Sequence, residues 1–274
     1  MKTKTTSLAV LAAISAITTS ALADKLTIDG STTVGPIAKA VAEAYMKENK
    51  DAEITVSESG SGNGAKALLN STCDIAALSR PLKDTEEAAM REKGVNPVKK
   101  VVAYDAICIV VHPSNRVKEL TKEQLKKIYT GEITNWKEVG GFDTPILVIS
   151  REANSGTAET FKEMVLGEGK VVDAAEFAGS NGAVRQRVAG TRGAIAYTGL
   201  GFIDRTVKAL AVETVAPSSE TVIANKYPLS RELLMFTNGA PAADSLAAKF
   251  YAAIDSDNGR KMIDELGFVA VPKE

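Results

Sequence analysis

Ile146-Leu147-Val148-Ile149-Ser150-Arg151-Glu152-Ala153-Asn154-Ser155-Gly156-Thr157 is the stretch that decides the fold. Residues 146–150 form a mostly apolar run that reads as a strand, and Phe161, Met164 and Val165 then recur at helical spacing. Between the two lies a turn of Asn, Ser, Gly and Thr, residues that cap helices and favour tight turns. A strand that passes through a short polar turn into a helix is the repeating unit of α/β proteins.

The same unit recurs on both sides of this stretch. Leu26 to Ile28 reads as a strand, followed by Ile37, Val41 and Tyr45 at helical spacing behind Pro36, a favourable first-turn residue. Ile54 to Val56 is a second strand, followed by a Gly-rich turn at 59–64 and a short Ala/Leu helix. Ile75 to Leu78 leads to a helix opening near Asp84, and Val101 to Val111 is a long apolar strand closed by His112-Pro113. Thr121-Lys122-Glu123-Gln124 is a capping box, with Leu125, Ile128 and Tyr129 on one helix face and Gly131 as the stop. Further on, a helix follows Ser180-Asn181-Gly182, strands are expected at Ala194 to Tyr197 and Leu233 to Phe236, and amphipathic segments centre on Phe250 and Ile263. The chain has no internal repeat and no low-complexity linker. That argues for two lobes sharing the chain rather than two domains in series.

The N-terminus carries a different signal. Lys2 and Lys4 precede an apolar stretch from Leu8 to Ile17 that ends in Ser20-Ala21-Leu22-Ala23, the pattern of a secretory signal peptide cleaved between Ala23 and Asp24. The stretch is too short to cross a bilayer core of about 30 Å. No cysteine stands at the cleavage point to take a lipid. Without Lys2 and Lys4 the chain carries 31 basic against 34 acidic residues, a formal charge of −3. Such a protein lacks the basic footprint needed for nucleic acid or anionic membranes, so an anion would have to be held by local geometry. Cys73 and Cys108 are the only cysteines. In an oxidising compartment they could form one disulfide, or each could be a small buried hydrophobe.

Three strand-to-helix junctions share one chemical character: Gly30-Ser31-Thr32-Thr33, Ser59-Gly60-Ser61-Gly62-Asn63-Gly64 and Asn154-Ser155-Gly156-Thr157. Each combines glycines, which let backbone N–H groups approach a ligand, with hydroxyls at a helix opening, where the macrodipole favours an anion. A tetrahedral oxyanion needs donors from several directions, and three such turns supply them. Arg151 stands four residues before Ser155, and Arg80 follows Ser79 at a strand end. A guanidinium matches two oxygens of an oxyanion at once, although Arg80 could equally pair with Asp84 or Glu86.

Other chemistries are less well served. Gly60-Ser61-Gly62-Asn63-Gly64-Ala65 matches the dinucleotide pattern G-x-G-x-x-A, a weak signal alone, and an exported protein has little access to NAD. A serine hydrolase would have to be built on His112, the single histidine, and one histidine with two distant cysteines makes no metal site. No catalytic residue, cofactor or metal is therefore expected.

Taken together, Ile28-Asp29-Gly30-Ser31-Thr32-Thr33-Val34, the Ser59 to Gly64 turn, Asp74-Ile75-Ala76-Ala77-Leu78-Ser79-Arg80, the Ser150 to Thr157 segment and Gly193-Ala194-Ile195-Ala196-Tyr197 resemble the PstS-type phosphate-binding proteins of phosphate ABC transporters. The resemblance runs in order from about residue 26 to the C-terminus. It implies an α/β, two-lobed type II periplasmic-binding-protein fold with phosphate in a cleft between the lobes. The first lobe would comprise residues 24–111 and 232–274 and the second residues 112–231, with crossings near Val110 to Pro113 and Leu229 to Leu233. The site would be drawn from Ser31, Thr32, Thr33, Ser61, Gly62, Ser79, Arg80, Arg151, Ser155, Gly156 and Thr157. The partners implied are inorganic phosphate and the membrane permease of an ABC importer, for a monomeric periplasmic protein. One position departs from well-known members, where an aspartate accepts the phosphate proton and so excludes sulfate. Here it is Ser79, which leaves another tetrahedral oxyanion such as sulfate as the alternative ligand. Asp29 and Glu58 flank the contact loops and are candidate acceptors, although capping or solvation would also account for them.

Overall fold

The computed structural model describes residues 24–273, so the leader reading of residues 1–23 lies outside it. The first elements are β1 (Asp24–Gly30), α1 (Gly35–Glu48), β2 (Ala52–Ser57), α2 (Ser61–Leu69), β3 (Ile75–Leu78) and α3 (Asp84–Glu92). A long strand β4 (Pro97–Val111) follows, then β5 (Glu119–Leu120), α4 (Lys122–Thr130), β6 (Leu147–Arg151), α5 (Gly156–Phe161), β7 (Glu176–Ala178), α6 (Asn181–Ala189), β8 (Ala194–Gly199) and β9 (Lys208–Val212). The chain ends with α7 (Ser219–Ile223), β10 (Ser230–Asn238), α8 (Leu246–Asp255), α9 (Asp257–Glu265) and β11 (Val269–Ala270).

The strands run in the order β2-β1-β3-β10-β4-β8-β6-β7, with β11 and β9 also paired to β4. Parallel pairs form both ends, β1 with β2 and β3, and β6 with β7 and β8. Antiparallel pairing of β10 and β4 joins them. The central strand is long because it serves both sides: Pro97 to Ala106 pair with β10, while Ile107 to Val111 pair with β8. Its second half is wholly buried, which explains the continuous apolar run in the sequence.

Burial divides along this seam. One hydrophobic core gathers β1, α1, α8 and the Phe268 ring around Phe250. A smaller cluster lies under α2 and α3. The largest core runs from Ala106 to Leu229 and holds Trp136, Tyr129, Phe161 and Tyr197, with Phe161 stacked on Tyr197 at 4.2 Å. Each fully buried large side chain of this kind contributes about 1.5–3 kcal/mol. The chain passes from one core to the other inside β4, near Ala106, earlier than the end of the apolar run, because residues 106–111 pack with the second core. It returns between Leu229 and Leu233.

Local chemistry sets the element ends as the residue types suggest. Thr121 Oγ1 accepts from the Gln124 N–H at 3.1 Å, Gln124 Oε1 accepts from the Thr121 N–H at 2.9 Å, and Gly131 ends α4 at φ +83°. The helix after Thr157 differs from the regular one expected. It is α-helical only to Phe161 and continues as a π-helical turn from Lys162 to Leu166, which buries Val165 and Leu166. Cys73 and Cys108 are both free and buried, in separate cores. No helix of the described residues is long and apolar enough to cross a membrane.

Candidate functional site

The turn after β1 begins at Gly30, whose φ of +135° and whose close approach to β3 exclude a side chain: a Cβ there would lie 2.2 Å from the Ala77 carbonyl oxygen. Ser31 Oγ then accepts the N–H groups of Thr33 (3.1 Å) and Val34 (3.3 Å), which pins Thr32 and Thr33 at the head of α1. From the other half, Ser155 caps α5 by accepting from Ala158 N at 3.3 Å, and Ser180 caps α6 by accepting from Ala183 N at 3.1 Å. The Tyr197 hydroxyl holds the end of β6, 2.8 Å from Ser150 Oγ and accepting from Arg151 N at 3.2 Å.

These turns meet across the seam. Thr33 Oγ1 lies 3.2 Å from Thr157 Oγ1, and Arg151 Nη2 donates to Thr32 Oγ1 at 3.1 Å. Ser61 Oγ lies 3.3 Å from Ser79 Oγ and accepts from Ser79 N at 3.1 Å. A Cβ on Gly156 would come within 2.4 Å of Ser61 Oγ and 2.8 Å of Ser79 Oγ, so this glycine lets α5 open directly against both serines. Ser31, Thr32, Thr33, Ser61, Ser79, Arg151, Ser155 and Thr157 are all buried. A cluster of hydroxyls drawn from residues more than a hundred positions apart, with a guanidinium at its edge, is the one place where the expected residues converge.

Two of the expected residues are placed otherwise. Arg80 forms a two-pronged ion pair with Glu86, 2.8 Å at each nitrogen, and its Nε lies 3.0 Å from Glu159 on α5. Burial pushes the Glu86 carboxyl up, but the Arg80 bonds and the Lys83 N–H carry it below its ordinary value. Two carboxylates hold the Arg80 guanidinium, one of them from across the seam, and none of its bonds goes to the hydroxyl cluster among the described residues. Gly62 donates its N–H to the Asn154 carbonyl at 3.0 Å, and Asn154 Nδ2 donates to Ser59 O at 2.8 Å. Those bonds clasp the two halves, and the Gly62 N–H is engaged by the Asn154 carbonyl.

Three residues of the cluster were not expected. Asn181, at the head of α6, donates to Thr32 Oγ1 (3.2 Å) and Thr33 Oγ1 (2.9 Å) and accepts from Arg151 Nη1 at 3.2 Å. Arg231, on β10, donates to Thr157 Oγ1 at 3.0 Å and to the Ser79 carbonyl at 3.3 Å. Its Nε and Nη2 are held by Asp105 Oδ2 at 2.9 and 2.7 Å, and Asp105 Oδ1 accepts from Leu200 N at 2.8 Å. The available signal was a charge in each of two apolar strands, Asp105 within Val101 to Val111 and Arg231 just before Leu233, since buried charges are seldom found without partners.

The charges do not balance. Burial pushes the Asp105 carboxyl up, and the Arg231 charge and its hydrogen bonds pull it back. Among the described residues Arg151 has no such partner: its bonds go to the carbonyls of Ala178 and Gly179, the Asn181 amide oxygen and the Thr32 hydroxyl, all neutral. Burial pushes its guanidinium down to about 10, with the nearby Arg231 charge acting the same way and Tyr197 and Glu152 opposing. Two buried guanidiniums thus stand against one carboxylate, which Arg231 alone engages, so the cluster holds one positive charge in excess and suits a small anion.

Known proteins share this architecture. A model of the PBP superfamily domain matches residues 15–256. The phosphate-binding protein PstS of Borreliella burgdorferi is 34% identical over 257 residues, 90% of each chain. PstS of Bacillus subtilis is 32% identical over 251 residues, covering 90% of this chain and 80% of that protein. Among solved structures, a Clostridium perfringens protein with bound phosphate superposes with a TM-score of 0.84 at 34% identity, covering 91% of this chain and 100% of that one. An ABC-type phosphate transport receptor from Vibrio cholerae gives 0.74 at 33% identity over 90% of this chain and 100% of that one. The two cores on one seamed sheet are thus the two-lobed α/β fold of the periplasmic binding proteins, and the chain belongs to the PBP superfamily, in the family of the PstS proteins.

Proposed function

We propose that the protein captures inorganic phosphate between two lobes, residues 24–105 with 232–274 and residues 106–231, and delivers it to the permease of an ABC importer. The observation that carries this reading is Arg151, a buried guanidinium with only neutral partners, set among hydroxyls that come from both halves of the chain. Thr32, Thr33, Ser61, Ser79, Ser155, Gly156 and Thr157 supply the surrounding donors, and Arg231 and Asn181 join them. Binding is then a hinge closure about β4 and β10, with the anion completing contacts that neither lobe makes alone. Phosphate is favoured over sulfate because related proteins carry phosphate in their names or in their solved structures. The protein acts as a monomeric binder without turnover or nucleic-acid partner. Calorimetric titration of refolded, anion-free protein is expected to show one phosphate per chain, bound more tightly than sulfate. Absence of phosphate heat at any concentration would end this reading.

The same proposal places the protein in the periplasm after removal of residues 1–23. Mass spectrometry of the periplasmic fraction is expected to give a chain starting at Asp24. Intact Met1 in the membrane fraction would contradict it.

A further inference from the structure

Apart from the Arg231–Asp105 pair inside the hinge strands, the ion pairs that bridge the two lobes among the described residues converge on one side chain, Glu159 of α5. Its carboxylate lies 3.0 Å from Arg80 Nε and 2.5 Å from Lys83 Nζ, both on the first lobe at the entrance to α3. The first-lobe side is braced from within. Arg80 Nη1 and Nη2 donate to the two oxygens of Glu86, Nη1 also donates to the Pro81 carbonyl, and Glu86 accepts the Lys83 N–H. All of these bonds lie inside one lobe, so they hold whether the lobes are together or apart, and they leave Nε as the edge of the guanidinium turned across the seam. Asp84, Lys162 and Glu163 line the adjoining cavity of about 560 Å³, but among the described residues none of them forms an ion pair across it.

The contact is carried by charge rather than by an aligned hydrogen bond: the buried Arg80 Nε has no hydrogen-bond acceptor among the described residues despite the approach of Glu159. Two faces can therefore make it and release it as they meet and part. Its place ties it to the anion site. Glu159 stands one turn into α5, whose opening residues Ser155, Gly156 and Thr157 belong to the hydroxyl cluster, and Arg80 directly follows Ser79. Between the two, Thr160 Oγ1 reaches the Ser79 carbonyl at 3.4 Å. A closure that sets the head of α5 against Ser61 and Ser79 thus brings Glu159 onto Arg80 in the same rigid movement, although neither residue bonds to the cluster among the described residues.

We infer that Glu159 is an interlobe latch: its contacts with Arg80 and Lys83 exist only in the closed form, stabilise that form, and so slow the release of an anion that they do not touch. The inference rests on the phosphate reading above. Where binding is linked to closure, whatever favours the closed form also raises the affinity for the anion. The sign of the effect separates the latch from a simple field. As a bare negative charge one helical turn from the site, Glu159 would repel an anion, and its removal would tighten binding. As a latch it favours binding, and its removal weakens it, chiefly through faster dissociation.

The test is the release of radiolabelled inorganic phosphate from loaded protein into an excess of unlabelled phosphate, for the parent, Glu159→Gln and Glu159→Asp. Calorimetry supplies the affinities, and the melting temperature of the anion-free protein is the folding control. Glu159→Gln removes the charge at nearly constant shape, whereas Glu159→Asp keeps the charge and shortens its reach. Both are expected to release phosphate about 5-fold faster or more, the lower end of typical coupling between linked equilibria, with a matching loss of affinity. The association rate and the anion-free melting temperature should stay close to the parent's. Added potassium chloride should quicken release from the parent more than from Glu159→Gln, because Lys83 is half exposed and its attraction to Glu159 is screened. Tighter phosphate binding in Glu159→Gln, or release at the parent's rate, overturns the latch while the phosphate reading stands. If Glu159→Gln fails to fold, Glu159→Asp decides, and release at the parent's rate overturns it. A parent protein that retains no labelled phosphate and gives no phosphate heat removes the phosphate reading and this inference with it.

Discussion

Arg151→Ala is expected to weaken phosphate binding by about 3 kcal/mol or more, within the range for truncating one partner of a buried, hydrogen-bonded charge contact. The guanidinium is buried and its present partners are two carbonyls, an amide oxygen and a hydroxyl. None of them neutralises it, so an entering anion is the first group to do so. The interaction is strengthened by the low effective dielectric once the lobes exclude water. Arg151→Lys should recover only part of the loss, because an ammonium cannot reach the Ala178 and Gly179 carbonyls and present a planar pair of donors to the anion. The measurement is calorimetric titration, supported by the rise of melting temperature with phosphate, which follows from preferential binding to the folded state and should shrink in the variant. Lys118→Ala, at an exposed position, is the control and should bind like the parent protein. Unchanged phosphate affinity in Arg151→Ala would mean that the anion sits elsewhere, even though the fold is correct.

The second large effect concerns stability as well as binding. Arg231 and Asp105 are a buried ion pair fixed by opposite positions on β10 and β4, with Asp105 fully enclosed. Removing one partner strands the other charge in the core, at a cost of about 3–5 kcal/mol. Asp105→Ala and Arg231→Ala are each expected to lower the unfolding free energy by that amount in denaturant titrations. The double substitution Asp105→Leu with Arg231→Met should recover much of it, because no charge is then left without a partner. Phosphate binding should not recover with it. Arg231 donates to Thr157 Oγ1 and to the Ser79 carbonyl, so the double variant loses one of the two guanidiniums that order the hydroxyl cluster. Stability losses that simply add in the double variant would show that the two charges act independently. Arg151 and Arg231 are thereby separable: the first is expected to matter for the anion, the second for both the anion and the fold.

What the sequence determined by itself was local. The strand-to-helix units, the Thr121 capping box and the hydroxyl turns at 30–33 and 154–157 are written in periodicity and cap chemistry over a few residues and stand where the residue types put them, whereas the turn expected at 59–64 is confined to 58–60 and Ser61 to Gly64 already form the first turn of α2. Arg151 was legible for the same reason, since it shares one segment with Ser155, Gly156 and Thr157. The very short strands β5, β7 and β11 were not, because two or three residues carry no measurable period. Only the tertiary structure decided how charge is distributed at the site. Asp105 and Arg231 are 126 positions apart and meet only because the β10–β4 register sets them opposite each other. Asn181 reaches the threonines through the packing of α6 against the head of α1, and Arg80 is drawn away because α5 brings Glu159 to a guanidinium already held by Glu86. Such partnerships depend on Coulomb and hydrogen-bond interactions effective over only a few ångströms in space. They have no period along the chain, so no pattern in the sequence could have announced which charges would pair and which would be left for a ligand.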